Sequence, residues 1–166
     1  MLPCSVVEAT EAQQLFLQLA IAEAVAGVQA RDGGPFGAVI VQGGRVIARG
    51  RNRVTSRPDA TAHAEIEAIR QACTALGTHL LAGCELYASC EPCPMCLAAT
   101  HWARIERVYH AATRWDAAAA GFDDARFHAE LAGAAASPSV ELVHVAFAGA
   151  GAPFEVWAQT EGRTPY

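Results

Sequence analysis

The sequence contains no lysine: all 12 cationic side chains are arginine, and against 17 acidic residues they leave a net charge of -5 over 166 residues. The acid excess argues against a dedicated nucleic-acid binder, whose affinity rests on cationic contacts to phosphates. An apolar run of membrane length is also missing, since the longest, Leu15 to Val28, is interrupted by Gln18 and Glu23. A basic leader is missing too, because Glu8 and Glu11 precede the first cation, Arg31. These absences predict a soluble, cytoplasmic chain with no membrane segment. Charged residues are scarce at 17%, whereas hydrophobic ones reach 52%, enough to bury one core and to make 1–166 a single domain.

The chain holds six cysteines, but one of this size needs no disulfide staples, and reduced thiols are expected. Cys90, Cys93 and Cys96 stand close together, which points to metal or redox chemistry. Thr10 to Gln13 reads as a capping box opening a long helix that ends near Gln29, before the turn formers Arg31 to Pro35. Phe36 to Gln42 and Arg45 to Arg49 are Val- and Ile-rich runs joined by Gly43-Gly44, a β-hairpin. A polar loop containing Pro58 leads to a helix over 62–76. Strand and helix then alternate: strand 84–88, helix 94–103, strand 107–111, helix 114–120, strand 140–147, with a short helix near 153–160. This order predicts an α/β protein of three α/β/α layers, whose five-stranded mixed sheet begins with an antiparallel hairpin.

His63-Ala64-Glu65 and Pro92-Cys93-Pro94-Met95-Cys96 each lie at a predicted helix start. Such starts gather at one edge of a covered sheet, which can bring an imidazole and two thiolates together, a donor set suited to zinc. The helix N-terminus favours thiolate over thiol, and Pro94 fits a first helical turn. Three ligands leave one position for water, as in catalytic sites, and a carboxylate must then handle the proton. Regular helix spacing puts Glu67, not Glu65, on the face of His63. We nevertheless assign the base to Glu65, because the helix begins here and because H-x-E with P-C-x-x-C is the zinc deaminase pattern. A closed zinc site with Cys90 as fourth ligand, or an iron-sulfur site on the three cysteines, stays open as the alternative.

The chain resembles the cytidine-deaminase-like superfamily, and within it the guanine deaminase branch. The resemblance rests on Gly33 to Val41, Asn52 before Val54-Thr55, Thr61 to Glu65, Ser89 to Cys96, Trp102-Ala103-Arg104 and Gly121 to Asp124. One departure is Ala60, where relatives often have proline between Asp59 and Thr61, which should loosen the loop before His63. The resemblance implies one catalytic Zn2+ per subunit on His63, Cys93 and Cys96, with Glu65 as proton carrier, and hydrolytic deamination of guanine to xanthine and ammonia.

The same resemblance implies that Asn52 hydrogen-bonds the purine ring, that Phe36 stacks on it and that Asp124 meets its edge. Trp102 would reach the neighbouring subunit's site in a homodimer, possible exchange of C-terminal segments included. The segment 153–166, ending in Tyr166, would fold over the pocket. From the residues alone, Asn52 caps a turn, Phe36 and Trp102 are core, Asp123 and Asp124 are a solvated pair and Tyr166 is a frayed end. Guanosine and adenosine in tRNA are the rival substrates. The second draws on Arg45, Arg49, Arg51, Arg53 and Arg57, a cluster that otherwise reads as a solvated strand face.

Overall fold

A computed structural model describes residues 8–122, 124–133, 140, 142–145 and 150–164. The chain divides into two compact units, 1–135 and 136–166. In the first, α1 (Glu11–Gln29) opens on the expected capping box, with Thr10 and Gln13 bonded reciprocally. Then come β1 (Gly37–Gln42), β2 (Arg45–Arg51), α2 (Ala64–Leu76), β3 (Cys84–Cys90), α3 (Pro94–Trp102), β4 (Arg107–Ala112), α4 (Arg114–Ala119) and α5 (Ala125–Leu131). The sheet order is β2-β1-β3-β4. β1 runs antiparallel to both of its neighbours, and β3 and β4 are parallel. The sheet is therefore mixed and starts with the expected hairpin.

Both faces are covered, and the apolar run of β1 shows how. Ala38 and Ile40 join Leu86 and the α2 residues Ala64, Ala68 and Ala72 in one buried cluster. Val39 and Val41 join Tyr87, Phe16 and Ala20 on the other side, where α1 packs. Alternate side chains of one strand thus feed two cores, which is why β1 reads as continuous rather than alternating hydrophobicity. Full burial of side chains such as Ile40 and Leu86 contributes about 1.5–3 kcal/mol each.

The alanine stripe of α2 meets the sheet at backbone range. A Cβ on Gly50 of β2 would stand 2.1 Å from the Ala64 carbonyl oxygen and 2.6 Å from the Ala68 nitrogen. Glycine at this position is what lets α2 lie so close to the hairpin.

Two expectations need correction. The sheet has four strands among the described residues, not five. Of the expected strand 140–147, residues 140 and 142–145 form no ladder and Leu142 is 97% exposed; 141, 146 and 147 lie outside the described residues. Alternating apolar residues supply strand propensity, but a strand exists only with a neighbour to bond. The other miss is α5, whose short span follows an Asp124 that makes no side-chain cap. The second unit contains α6 (Ala152–Gln159), close to the predicted helix.

Candidate active site

Two helix starts build the site. The sheet feeds α2 after β2 and α3 after β3, and these two strands run the same way because both are antiparallel to β1 between them. His63 is the N-cap of α2 and Cys93 the N-cap of α3, both with extended backbone (ψ 157° and 166°) and neither spending its side chain on capping. Pro94 occupies the first turn of α3, and Cys96 lies one turn in. The imidazole and the two thiols are therefore free to face one another.

His63 Nδ1 lies 3.6 Å from Cys93 Sγ and 3.6 Å from Cys96 Sγ, and the three ligand atoms all fall within 4.8 Å of one another. A tetrahedral zinc with bonds of about 2.3 Å to sulfur and about 2.05 Å to nitrogen sets its N···S pairs about 3.6 Å apart. Both N···S separations match that ion. Cys90 takes another course: its thiol donates to the Thr113 carbonyl at 3.4 Å, and burial lifts its pKa to about 11. Among the described residues neither a fourth cysteine ligand nor a three-cysteine cluster forms.

The electrostatics suit a cation. Cys93 is held down to about 4, chiefly by the hydrogen bond from Cys96, while that same bond and burial push Cys96 up. The pair thus favours thiolate at Cys93, and a zinc ion would require both sulfurs deprotonated. Hydrogen bonding to Cys93 raises His63. Glu65 is 7% exposed, accepts from Cys96 Sγ at 3.4 Å, and is raised by burial. A buried carboxyl beside the ligand sulfur is placed to move a proton.

The other residues singled out in the sequence are placed as follows. Asn52 is 5% exposed, and its Oδ1 accepts from the backbone N–H groups of Gly34 at 3.1 Å and Val54 at 3.2 Å. The acceptor is thus committed to shaping the loop. Phe36 crosses Phe122 edge to face with centroids 5.0 Å apart. Asp124 lies near enough to His63 and Cys93 to influence both, and burial raises its pKa. Its Oδ1 is buried with no partner. Trp102, at the last turn of α3, is 60% exposed and far along the helix from Cys93. Asp123 and Tyr166 lie outside the described residues.

Sequence reading missed two supports. Glu91 is clamped by Arg114 through its backbone N–H and its guanidinium, which holds Glu91 at about 2 and ties the segment before Cys93 to α4. Glu67 is bound by Arg57 at 3.0 Å and Arg70 at 3.2 Å. No local spacing reveals the first, since its partners lie 23 residues apart. A cavity of about 500 Å³ touches Phe36, Ser89 and Cys90 but none of His63, Glu65, Cys93 or Cys96. Chemistry, not cavity size, locates the site.

Residues 10–112 match the family described as the cytidine and deoxycytidylate deaminase zinc-binding region. The chain belongs to that family. Like other zinc-binding deaminases, it is a zinc-dependent hydrolase. The guanine deaminase of Bacillus subtilis (strain 168) is 46% identical over 153 residues, covering 92% of this chain and 98% of that protein. The X-ray structure of guanine deaminase from Bacillus subtilis matches with a TM-score of 0.87, again at 46% identity and over 92% and 98% of the two chains. A tRNA-specific adenosine deaminase of Agrobacterium fabrum is 53% identical, but over 97 residues, 58% of this deaminase and 63% of the other.

Proposed function

We propose that this deaminase hydrolyses guanine to xanthine and ammonia. What carries the reading is the convergence of a three-ligand metal centre with buried Glu65 and the unpartnered oxygen of Asp124, supported by the near full-length likeness to the Bacillus subtilis guanine deaminase. When bound, zinc would supply a water of lowered pKa. Glu65 takes the proton released as oxygen attacks C2 of the purine and passes it to ring N3; it then takes the second proton from the new C2 hydroxyl and gives it to the amine, so that the C–N bond breaks, ammonia leaves and C2 keeps a carbonyl. Asn52 orients the ring through its amide N–H groups, Phe36 lies against its face, and Asp124 accepts from a ring N–H.

The tRNA adenosine alternative draws on the Agrobacterium fabrum relative and the arginine cluster. Three of those arginines are already occupied within the chain: Arg49 pairs with Glu23, Arg51 with Asp32 and Arg57 with Glu67. A solvated, internally paired face accounts for them. The proposal also includes a homodimer, with segment 153–166 closing over the purine and Trp102 reaching a neighbouring subunit. Exposed apolar side chains on α1 and α4, including Val25, Val28 and Trp115, support association. A reducing, cytoplasmic setting agrees with five free cysteines among the described residues, and no described helix is long and apolar enough to cross a membrane.

The test is ammonia release from guanine, guanosine, adenine, cytosine, cytidine and a tRNA anticodon stem. Release from guanine alone is expected. Release from guanosine at an equal rate would move the substrate to the nucleoside, and release from the RNA alone would replace the reading.

A further inference from the structure

The loop 53–62 delivers His63, yet it has little core of its own: it is polar, and Ala60 leaves it conformational freedom that a stiffer residue would remove. Its ends are tied by the Arg53 N–H bond to the Ala62 carbonyl at 2.9 Å. Its outer part is tied to α2 through Glu67. This carboxylate is buried, and it receives Arg57 from the loop at 3.0 Å and Arg70 from the next helical turn at 3.2 Å. Arg70 reaches back to the loop, 3.4 Å from the Thr61 hydroxyl and 3.7 Å from Asp59. Asp59 in turn accepts from the Thr61 backbone and hydroxyl at 2.8 and 2.7 Å. The Glu67 backbone N–H donates to the His63 carbonyl at 2.9 Å.

The network therefore brackets the residues immediately before His63 from both sides. Glu67 is buried while both guanidinium groups are more than half exposed, so the pairs add little net stability and their consequence is geometric: they hold the loop against α2. We infer that Glu67 is a positioning residue: gripped by Arg57 and Arg70, it fixes loop 53–62 so that His63 is held at the distance from Cys93 and Cys96 that the metal requires. Its carboxylate is thereby occupied and takes no part in proton transfer.

The inference rests on the metal site proposed for His63, Cys93 and Cys96, and the test separates the two. Purified zinc-loaded protein is mixed with a chromogenic chelator and the rate of zinc release is followed for wild type, Arg57→Gln, Arg57→Lys, Glu67→Gln and the Arg57→Gln/Glu67→Gln double variant. Arg57 is 57% exposed, so its replacement should shift the melting temperature by no more than about 2 °C. Release is expected to quicken about ten-fold in each neutralising single variant, the low end for residues supporting metal ligands. The double variant should be no faster than Glu67→Gln, and Arg57→Lys should stay near wild type. Wild-type release from Arg57→Gln, or effects that multiply in the double variant, would overturn the role of Glu67. Wild-type protein that holds no zinc at all would instead sink the metal site.

Discussion

Glu65 and Glu67 stand two positions apart in the first turn of one helix, both buried, and meet opposite surroundings. Glu67 has two guanidinium partners, whereas Glu65 has a thiol at 3.4 Å and otherwise low-dielectric surroundings. Periodicity alone favoured Glu67, because it assumes His63 is helical. His63 is instead an extended N-cap, so the 100° step does not apply to it. Replacing Glu65 by Gln keeps shape while removing the proton acceptor. Zinc content is expected to stay at one per chain while turnover falls at least about 100-fold, the scale of a general acid–base group. Normal turnover, measured as ammonia release beside elemental analysis, would move the base elsewhere.

Asn52 shows the residue scale from another side. Turn capping and ring binding are competing readings of an asparagine in sequence; the geometry commits the oxygen to the backbone, and the proposal gives the amide N–H groups to the ring. Asn52→Ala leaves two backbone N–H groups without their acceptor. A loss of about 2 kcal/mol in urea unfolding is expected, together with a raised KM. An unchanged denaturation midpoint would show that water replaces the side chain without cost.

Among the elements, those with their own punctuation were legible. The capping box of α1, the glycine pair of the hairpin, and the proline in the first turn of α3 each act within a few residues. Their elements fall within two residues of expectation. What depends on distant partners was not legible. The Glu91–Arg114 clamp joins segments with no periodic relation, and segment 140–147 has strand composition but no pairing among its described residues. Gly50 belongs to the same class: in sequence it is one glycine in a strand, and only the approach of α2 explains it. Gly50→Ala places a methyl against backbone atoms of Ala64 and Ala68, which cannot swing aside as a side chain would. Since the clash sits beside His63, a loss of about 1–3 kcal/mol should come with weaker zinc retention. A stable variant with unaltered zinc release would mean that α2 slides without moving its N-terminus.

On the scale of the molecule, both buried clusters and all three metal ligands lie in residues 1–135. A chain ending at Ala135 should therefore fold and hold zinc, because among the described residues both cores are built from within that span. It should not turn over guanine, since the proposal places segment 153–166 over the substrate. The full-length Glu65→Gln variant has the complementary defect: it carries the segment but lacks the proton carrier. If subunits exchange these segments in a homodimer of twice 17.4 kDa, mixing the two inactive proteins should restore part of the ammonia release. The intact site of the truncated chain would then be closed by the segment of its partner. Light scattering on the mixture checks that heterodimers form. Heterodimers without recovered activity would show that each segment serves its own subunit, and a truncated chain as active as wild type would show that the segment closes nothing.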